Sequence, residues 1–107
     1  MASNYWIKLY HEILDDAKMG RLRDNLWRRA IECFLMAGEL QGQGELPSLE
    51  DMAWRLRANE EILESELGEL ANVGILERRN GGWFVTNFAD RQSAMSASER
   101  GKRWREQ

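Results

Sequence analysis

A mainly α-helical domain closed by a small β-hairpin is predicted by three features of this 107-residue chain. A first amphipathic run, from Leu49 to Leu56, follows a capping serine at Ser48. A tight turn through Arg57, Ala58 and Asn59 leads to a second amphipathic run that stops at Asn72-Val73-Gly74. Two short strand-like segments then flank Asn80-Gly81-Gly82. Helix, turn, helix, hairpin is the order of a winged helix-turn-helix, a fold that usually binds DNA.

The start of the chain fits two patterns. Trp6, Leu9, Tyr10, Ile13 and Leu14 fall on a helical stripe, while Ile7 and Leu9 alternating with Lys8 fit a strand. An extended piece at 5–9 followed by a short helix at 10–16 is favoured, with Asp15 and Asp16 marking a break toward Gly20. Asp24 is placed to cap the next helix, which runs to about Leu40. Leu26, Ala30, Phe34 and Ala37 form one stripe of it, with Trp27, Ile31 and Leu35 beside them. That wide apolar arc predicts the central helix of the domain. Gln41-Gly42-Gln43-Gly44 reads as a flexible connection.

Ser48 and Asp51 stand in capping-box positions, and Leu49, Met52, Ala53 and Leu56 repeat at i, i+3, i+4, i+7. Trp54, Arg55 and Arg57 are left outside. Asn59 caps the following helix, with Glu60 and Glu61 in its first turn, where the helix dipole favours acids. Leu63, Leu67 and Leu70 make its buried stripe. Residues 75–78 and 83–88 are the strand candidates, joined through residues that tolerate positive φ. A domain at 1–90 and a polar, basic tail at 91–107 follow from the change in composition near Asp90.

Composition narrows the class. The 43% of apolar residues is enough for one modest core. One cysteine, Cys33, excludes an intrachain disulfide, and with the single histidine, His11, it cannot supply a zinc site. No apolar run approaches a membrane span and no signal peptide is legible, so a soluble cytoplasmic protein without cofactors is expected. No nucleophile–base pair, phosphate-binding glycine loop or metal motif is present in the sequence, so an enzyme is not expected. The net charge of −3 is unevenly spread. Residues 45–70 hold eight acids against Arg55 and Arg57, whereas residues 71–107 hold seven bases against four acids.

The order of motifs carries a family resemblance. WIKLYHEILDD opens the chain, LWRRAIECFLMAGE lies in the long helix, and LPSLEDMAWRLR follows. A Glu/Leu-rich helix then ends in VGILERRNGGWFVTNFADRQ, and the tail reads SASERGKRWREQ. Over roughly residues 5–107 this resembles the N-terminal domain of phage replisome-organiser proteins, relatives of the DnaD-like replication initiation proteins. The resemblance implies a winged helix that binds DNA, self-associates, or does both in a replication setting. It also implies a possible helicase-loading or other replication partner, engaged in longer relatives by a C-terminal part.

Candidate contacts follow from charge. In a helix-turn-helix the second helix normally enters the major groove with its N-terminal residues near base edges. Here those are Asn59, Glu60, Glu61, Glu64 and Ser65, and carboxylates repel phosphate. They either cap and solvate the helix or face a basic partner. DNA contacts are therefore expected from Arg78, Arg79 and Asn80 in the wing, from Arg55 and Arg57 at the turn, and from Arg100, Lys102, Arg103 and Arg105 in the tail, where Trp104 could stack on a base. For each arginine set the alternative is an ordinary solvated or intrachain-paired charge. Trp27 and Trp83 are expected in the core. Trp6, Leu9, Ile13 and Trp54 are the candidates for an interface, the N-terminal ones with a second copy; packing on the parent domain is the alternative. A DNA-binding initiator domain, dimeric, is the first functional expectation. A protein-interaction module on the same scaffold and a transcriptional regulator are the competing ones.

Overall fold

The computed structural model describes residues 6–39, 44–90 and 92. The order is a 3-10 turn His11–Leu14, then α1 Ala17–Gly20, α2 Asp24–Glu39, α3 Leu49–Leu56, α4 Glu60–Asn72, β1 Leu76–Arg79 and β2 Gly82–Val85. It is a mainly helical domain with a two-stranded antiparallel wing, as its sequence predicts.

Local chemistry places most boundaries. The Ser48 hydroxyl accepts from the Asp51 amide at 3.2 Å and the Asn59 side chain accepts from the Ile62 amide at 3.0 Å, so both helices of the helix-turn-helix are capped where expected. α3 ends on Arg57, which adopts the left-handed conformation at φ 56. The Ala58 amide then reaches back to the Ala53 carbonyl at 2.9 Å. α4 ends in the same way: the Ile75 amide donates to Leu70 O at 3.0 Å and the Gly74 amide to Ala71 O at 3.0 Å, a Schellman stop. Two starts differ from expectation. Asp24 is the first helical residue of α2, not its cap, because the Arg23 carbonyl already accepts from Leu26 and Trp27. Asp15 and Asp16 do separate two pieces, but the first is only a 3-10 turn ending at Leu14 and the second, toward Gly20, is the helix α1, which the Asp16 carboxylate caps through the Lys18 and Met19 amides.

The wing is tighter than its sequence suggests. Asn80 (φ 51) and Gly81 (φ 79) alone form the turn, with the two successive positive φ values of a type I′ hairpin. Gly82 pairs with Arg79 inside the ladder. β2 stops at Val85 and not at Phe88, because Asn87 turns at φ 58 and residues 88–90 are helical. The wing also gains a short third edge. Leu46 N–H donates to Trp83 O at 3.0 Å and Val85 N–H to Gly44 O at 2.8 Å, so Glu45 bridges to Phe84. Gly44 is therefore not a free linker residue: at φ +99 it lies so close to β2 that a Cβ would stand 2.5 Å from Val85 O.

α4 packs against α2, α3 and β1 and forms the centre of the core. Leu63, Leu67 and Leu70 are fully buried, each a contribution of about 1.5–3 kcal/mol relative to exposure. Leu26, Ala30, Cys33 and Met36 face them from α2, and Met52 and Ala53 lie in the same core from α3. Trp83 is buried and Trp27 is half-buried against the core. Burial pushes the Cys33 thiol up to about 12, so it stays protonated and unreactive.

Beside this apolar seam runs a polar one. Arg29 Nε donates to Glu66 at 2.9 Å and its Nη1 to Glu32 at 2.7 Å, while Asn25 donates to the second Glu66 oxygen at 3.2 Å. Nearer the start of α2, Arg23 grips both oxygens of Glu69, at 2.9 and 3.0 Å. Glu66 is the buried charged residue of the domain's described part. Removing one member of a buried pair strands the other, a cost of roughly 3–5 kcal/mol when burial is complete. Burial here is incomplete and Glu66→Ala leaves Arg29 paired with Glu32, so the substitution is expected to destabilise the domain by about 2 kcal/mol in a urea melt, against less than about 1 kcal/mol for Glu69→Ala at the exposed end of the same seam.

Candidate functional site

The cationic side chains fall into two groups with different environments. Arg55 lies on α3 toward the end of α2. Its Nη2 donates to Glu39 Oε2 at 2.6 Å and its Nη1 pairs with the other oxygen, so its fork is fully occupied. Hydrogen bonding to the guanidinium holds the Glu39 carboxyl below its ordinary 4.5 and raises Arg55 in turn. Arg55 thus has a structural partner, supplied by the preceding helix and not by α4.

Arg57 is different. It occupies the left-handed turn residue between α3 and α4, with its guanidinium 5.5 Å from the centroid of the Trp54 ring. It makes no ion pair with any described residue. Its charge is oriented by the ring and left uncompensated, since a ring quadrupole attracts a cation without neutralising it.

Strand alternation separates the two wing arginines. Arg78 shares a face with Leu76 and is paired across the ladder with Trp83; its guanidinium stands 4.5 Å from that ring and 3.9 Å from Glu64 of α4. Arg79 falls on the opposite face, 5.0 Å from the Phe84 ring and paired with Glu77. Both remain about half-exposed at the hairpin tip, beside the exposed Asn80. Both precede the turn on β1 and project on opposite faces of it, so they are not one patch.

α4 presents fewer free acids than its sequence implies. Of its five glutamates, Glu66 and Glu69 face the α2 arginines and Glu64 leans toward Arg78. Glu60 and Glu61 are exposed in the first turn and make no ion pair with a described residue. Periodicity marked the leucine stripe but could not show that Glu66 and Glu69 flank it on the α2 side. Their partners lie 37 and 46 residues away.

The interface candidates also divide. Trp54 is 74% exposed, Trp6 68% and Leu9 49%, whereas Ile13 is half-buried and packs against the core. The N-terminal segment is fastened to its own domain. The Lys8 amide donates to Gln92 Oε1 at 3.0 Å, and Gln92 Nε2 donates back to the Lys8 carbonyl at 3.0 Å. Ile7 lies over Gly38, where a Cβ would come within 2.1 Å of it. A cavity of about 110 Å³ lies under this segment, with Tyr10, Met19, Phe34 and Thr86 in its wall, and none of the turn or wing arginines lines it. The tail residues Arg100, Lys102, Arg103, Trp104 and Arg105 lie outside the described residues.

Among the described residues no cluster of three or more His, Cys, Asp or Glu side chains is arranged to hold a metal ion, and no helix is long and apolar enough to cross a membrane. Compared with protein-family models, curated proteins and solved structures, the chain finds no match.

The Arg55–Glu39 pair carries a pH dependence. A carboxyl held below its ordinary value stabilises the fold at pH above about 4.5, and this contribution is lost as pH falls through the lower folded-state value. Both partners are about half-exposed, so the effect is under about 1 kcal/mol. Thermal melts of Glu39→Gln should match the parent near pH 3 and fall slightly below it at pH 7, and an NMR titration of the parent should place the Glu39 carboxyl below 4.5.

Proposed function

We propose that this chain is a DNA-binding winged-helix domain of a phage-type replication initiation protein, a replisome organiser, working as a dimer. The observation that carries the reading is the coupling of a capped helix-turn-helix to a type I′ wing whose tip exposes Arg78, Arg79 and Asn80. The replication setting rests on the order of sequence motifs; the mode of contact rests on the charge map.

In this mode α4 does not lie deep in the major groove. Its free acids, Glu60 and Glu61, stand at the end that would meet base edges, so the duplex is held by the wing and by Arg57 at the turn. Arg78 and Arg79, on opposite faces of the hairpin, suit a wing tip that straddles a phosphate ridge or enters a minor groove. Arg55 contributes less, because contact with phosphate requires it to leave Glu39. The basic tail adds nonspecific affinity, and a helicase-loading or other replication protein is the expected further partner.

Fluorescence anisotropy on duplex DNA tests this. Affinity should fall by at least tenfold between roughly 50 and 200 mM salt, and the slope of log K against log salt should shrink by roughly 0.9 for each wing arginine replaced by alanine. Absence of binding at low salt, or a slope unmoved in Arg78→Ala/Arg79→Ala, refutes the mode.

A second reading, a protein-interaction module, is favoured by one observation: Glu60 and Glu61 are unpaired carboxylates side by side on the helix that normally reads DNA. The two readings make opposite forecasts for Glu60→Lys/Glu61→Lys. Removing repulsion should strengthen duplex binding several-fold if DNA is the ligand. A module that docks a basic protein should instead lose that partner in pull-down and still ignore DNA.

A further inference from the structure

Trp54 is the exposed feature that the duplex-binding mode leaves unused. It projects from α3 with 74% of its surface in solvent. Of the exposed residues of α3 it alone is apolar; the others are Glu50, Asp51 and Arg55. Its neighbours three and four positions away are Glu50, Asp51, Arg57 and Ala58, of which only Ala58 is apolar and that one is half-buried. A protein-docking patch has a contiguous apolar centre ringed by polar residues. Trp54 has the reverse: one ring among charges.

What accompanies that ring is Arg57, 5.5 Å from its centroid and unpaired among the described residues. Arg57 is itself the left-handed residue of the turn, at φ 56. Arg57 stands over one face of the indole, so a ring stacking on the other face beside an anion for the arginine, a flat base joined to a phosphate, is a unit that suits the pair. Within a duplex both faces of each base are already stacked, so the indole has nothing to offer to duplex DNA except at its ends, and only Arg57 serves there. In a single strand the base face is free.

We propose that Trp54 and Arg57 form a stacking site for an unpaired nucleobase, with Arg57 taking the adjoining phosphate, so that the domain binds single-stranded as well as double-stranded DNA. The inference rests on the nucleic-acid reading above and adds a site to it. Glu50 and Asp51, one turn back on α3, repel phosphate from that side, so the strand leaves the indole toward the turn and not along α3.

The test uses the full chain with fluorescein-labelled oligothymidylate of about twelve nucleotides, a labelled duplex of the same length, and heparin as a polyanion without bases. Loss of one base stack weakens binding by roughly fivefold or more. Trp54→Ala should therefore weaken oligothymidylate binding by at least that factor, Trp54→Phe should recover most of it, and neither should alter heparin binding. Because the side chain is exposed, circular dichroism melts of both variants should overlay the parent. Oligothymidylate binding indifferent to Trp54→Ala, or an equal loss on heparin, overturns the stacking site. If the duplex is bound normally in that case, the function proposed above survives without it; if the chain binds neither oligonucleotide, both fall. Indifference to oligothymidylate together with loss of self-association in Trp54→Ala, seen by analytical ultracentrifugation, would reassign the indole to a protein contact.

Discussion

The contact between α2 and α4 through Arg29 and Glu66 is the constraint on which the remaining geometry rests. A carboxylate this close to the core must have its charge answered on the spot, because desolvation is otherwise too costly. Arg29 and Asn25 answer it from α2, and Arg23 answers Glu69 two turns earlier. These polar partners and the buried leucine stripe agree on one rotation of α4 about its own axis. The rotation sends Leu63, Leu67 and Leu70 inward and Glu60, Glu61, Glu64 and Ser65 outward. It also determines where β1 begins, because the Schellman stop at Gly74 leads straight into Ile75 and the strand. The wing therefore follows directly from the helix that this ion pair anchors at its middle.

That dependence explains what was legible in the sequence and what was not. Ser48, Asn59 and the Asn80-Gly81 turn act within three or four residues of themselves, so their positions translate directly into structure. The leucine stripe of α4 has a period that burial enforces. The failures involve partners distant in sequence or elements too short to have a period. Gly44 and Glu45 join the sheet only because β2, some forty residues later, lies beside them. α1 spans four residues and is defined by one aspartate cap. β2 ends early because Asn87 turns at positive φ, an option that asparagine permits without requiring it.

The site was legible by residue type but not by state. Arginines at 55, 57, 78 and 79 are equivalent as letters. In the folded domain Arg55 is locked to Glu39, Arg78 and Arg79 each share an aromatic ring with a carboxylate neighbour, and Arg57 has a ring alone. These environments differ in what they cost a ligand. A phosphate approaching Arg55 must compete with a bidentate carboxylate, the strongest geometry available to a guanidinium. At Arg57 it meets an unneutralised charge already oriented by its ring. The half-exposed wing pairs fall between, since exposed ion pairs contribute on the order of 0–1 kcal/mol and yield readily to a stronger anion.

The acidic helix then acts as a constraint on direction more than as a barrier to binding. Two exposed carboxylates at ε near that of water repel a phosphate at 4 Å by about 1 kcal/mol each, and salt screens them beyond about 8–10 Å. Such a penalty weighs most on a phosphate lying against Glu60 or Glu61 and less on one held at the wing tip, where Arg78 already answers Glu64. A polyanion would therefore be favoured at the hairpin and disfavoured along the start of α4, with Arg57 between the two. On the proposed nucleic-acid reading, the uneven charge of the sequence, acidic through residues 45–70 and basic beyond them, would tilt a bound strand away from α4. On that reading Arg57 stands at the boundary, three and four residues before Glu60 and Glu61, so its unpaired charge marks the point where approach to the turn is favoured and approach along α4 is not.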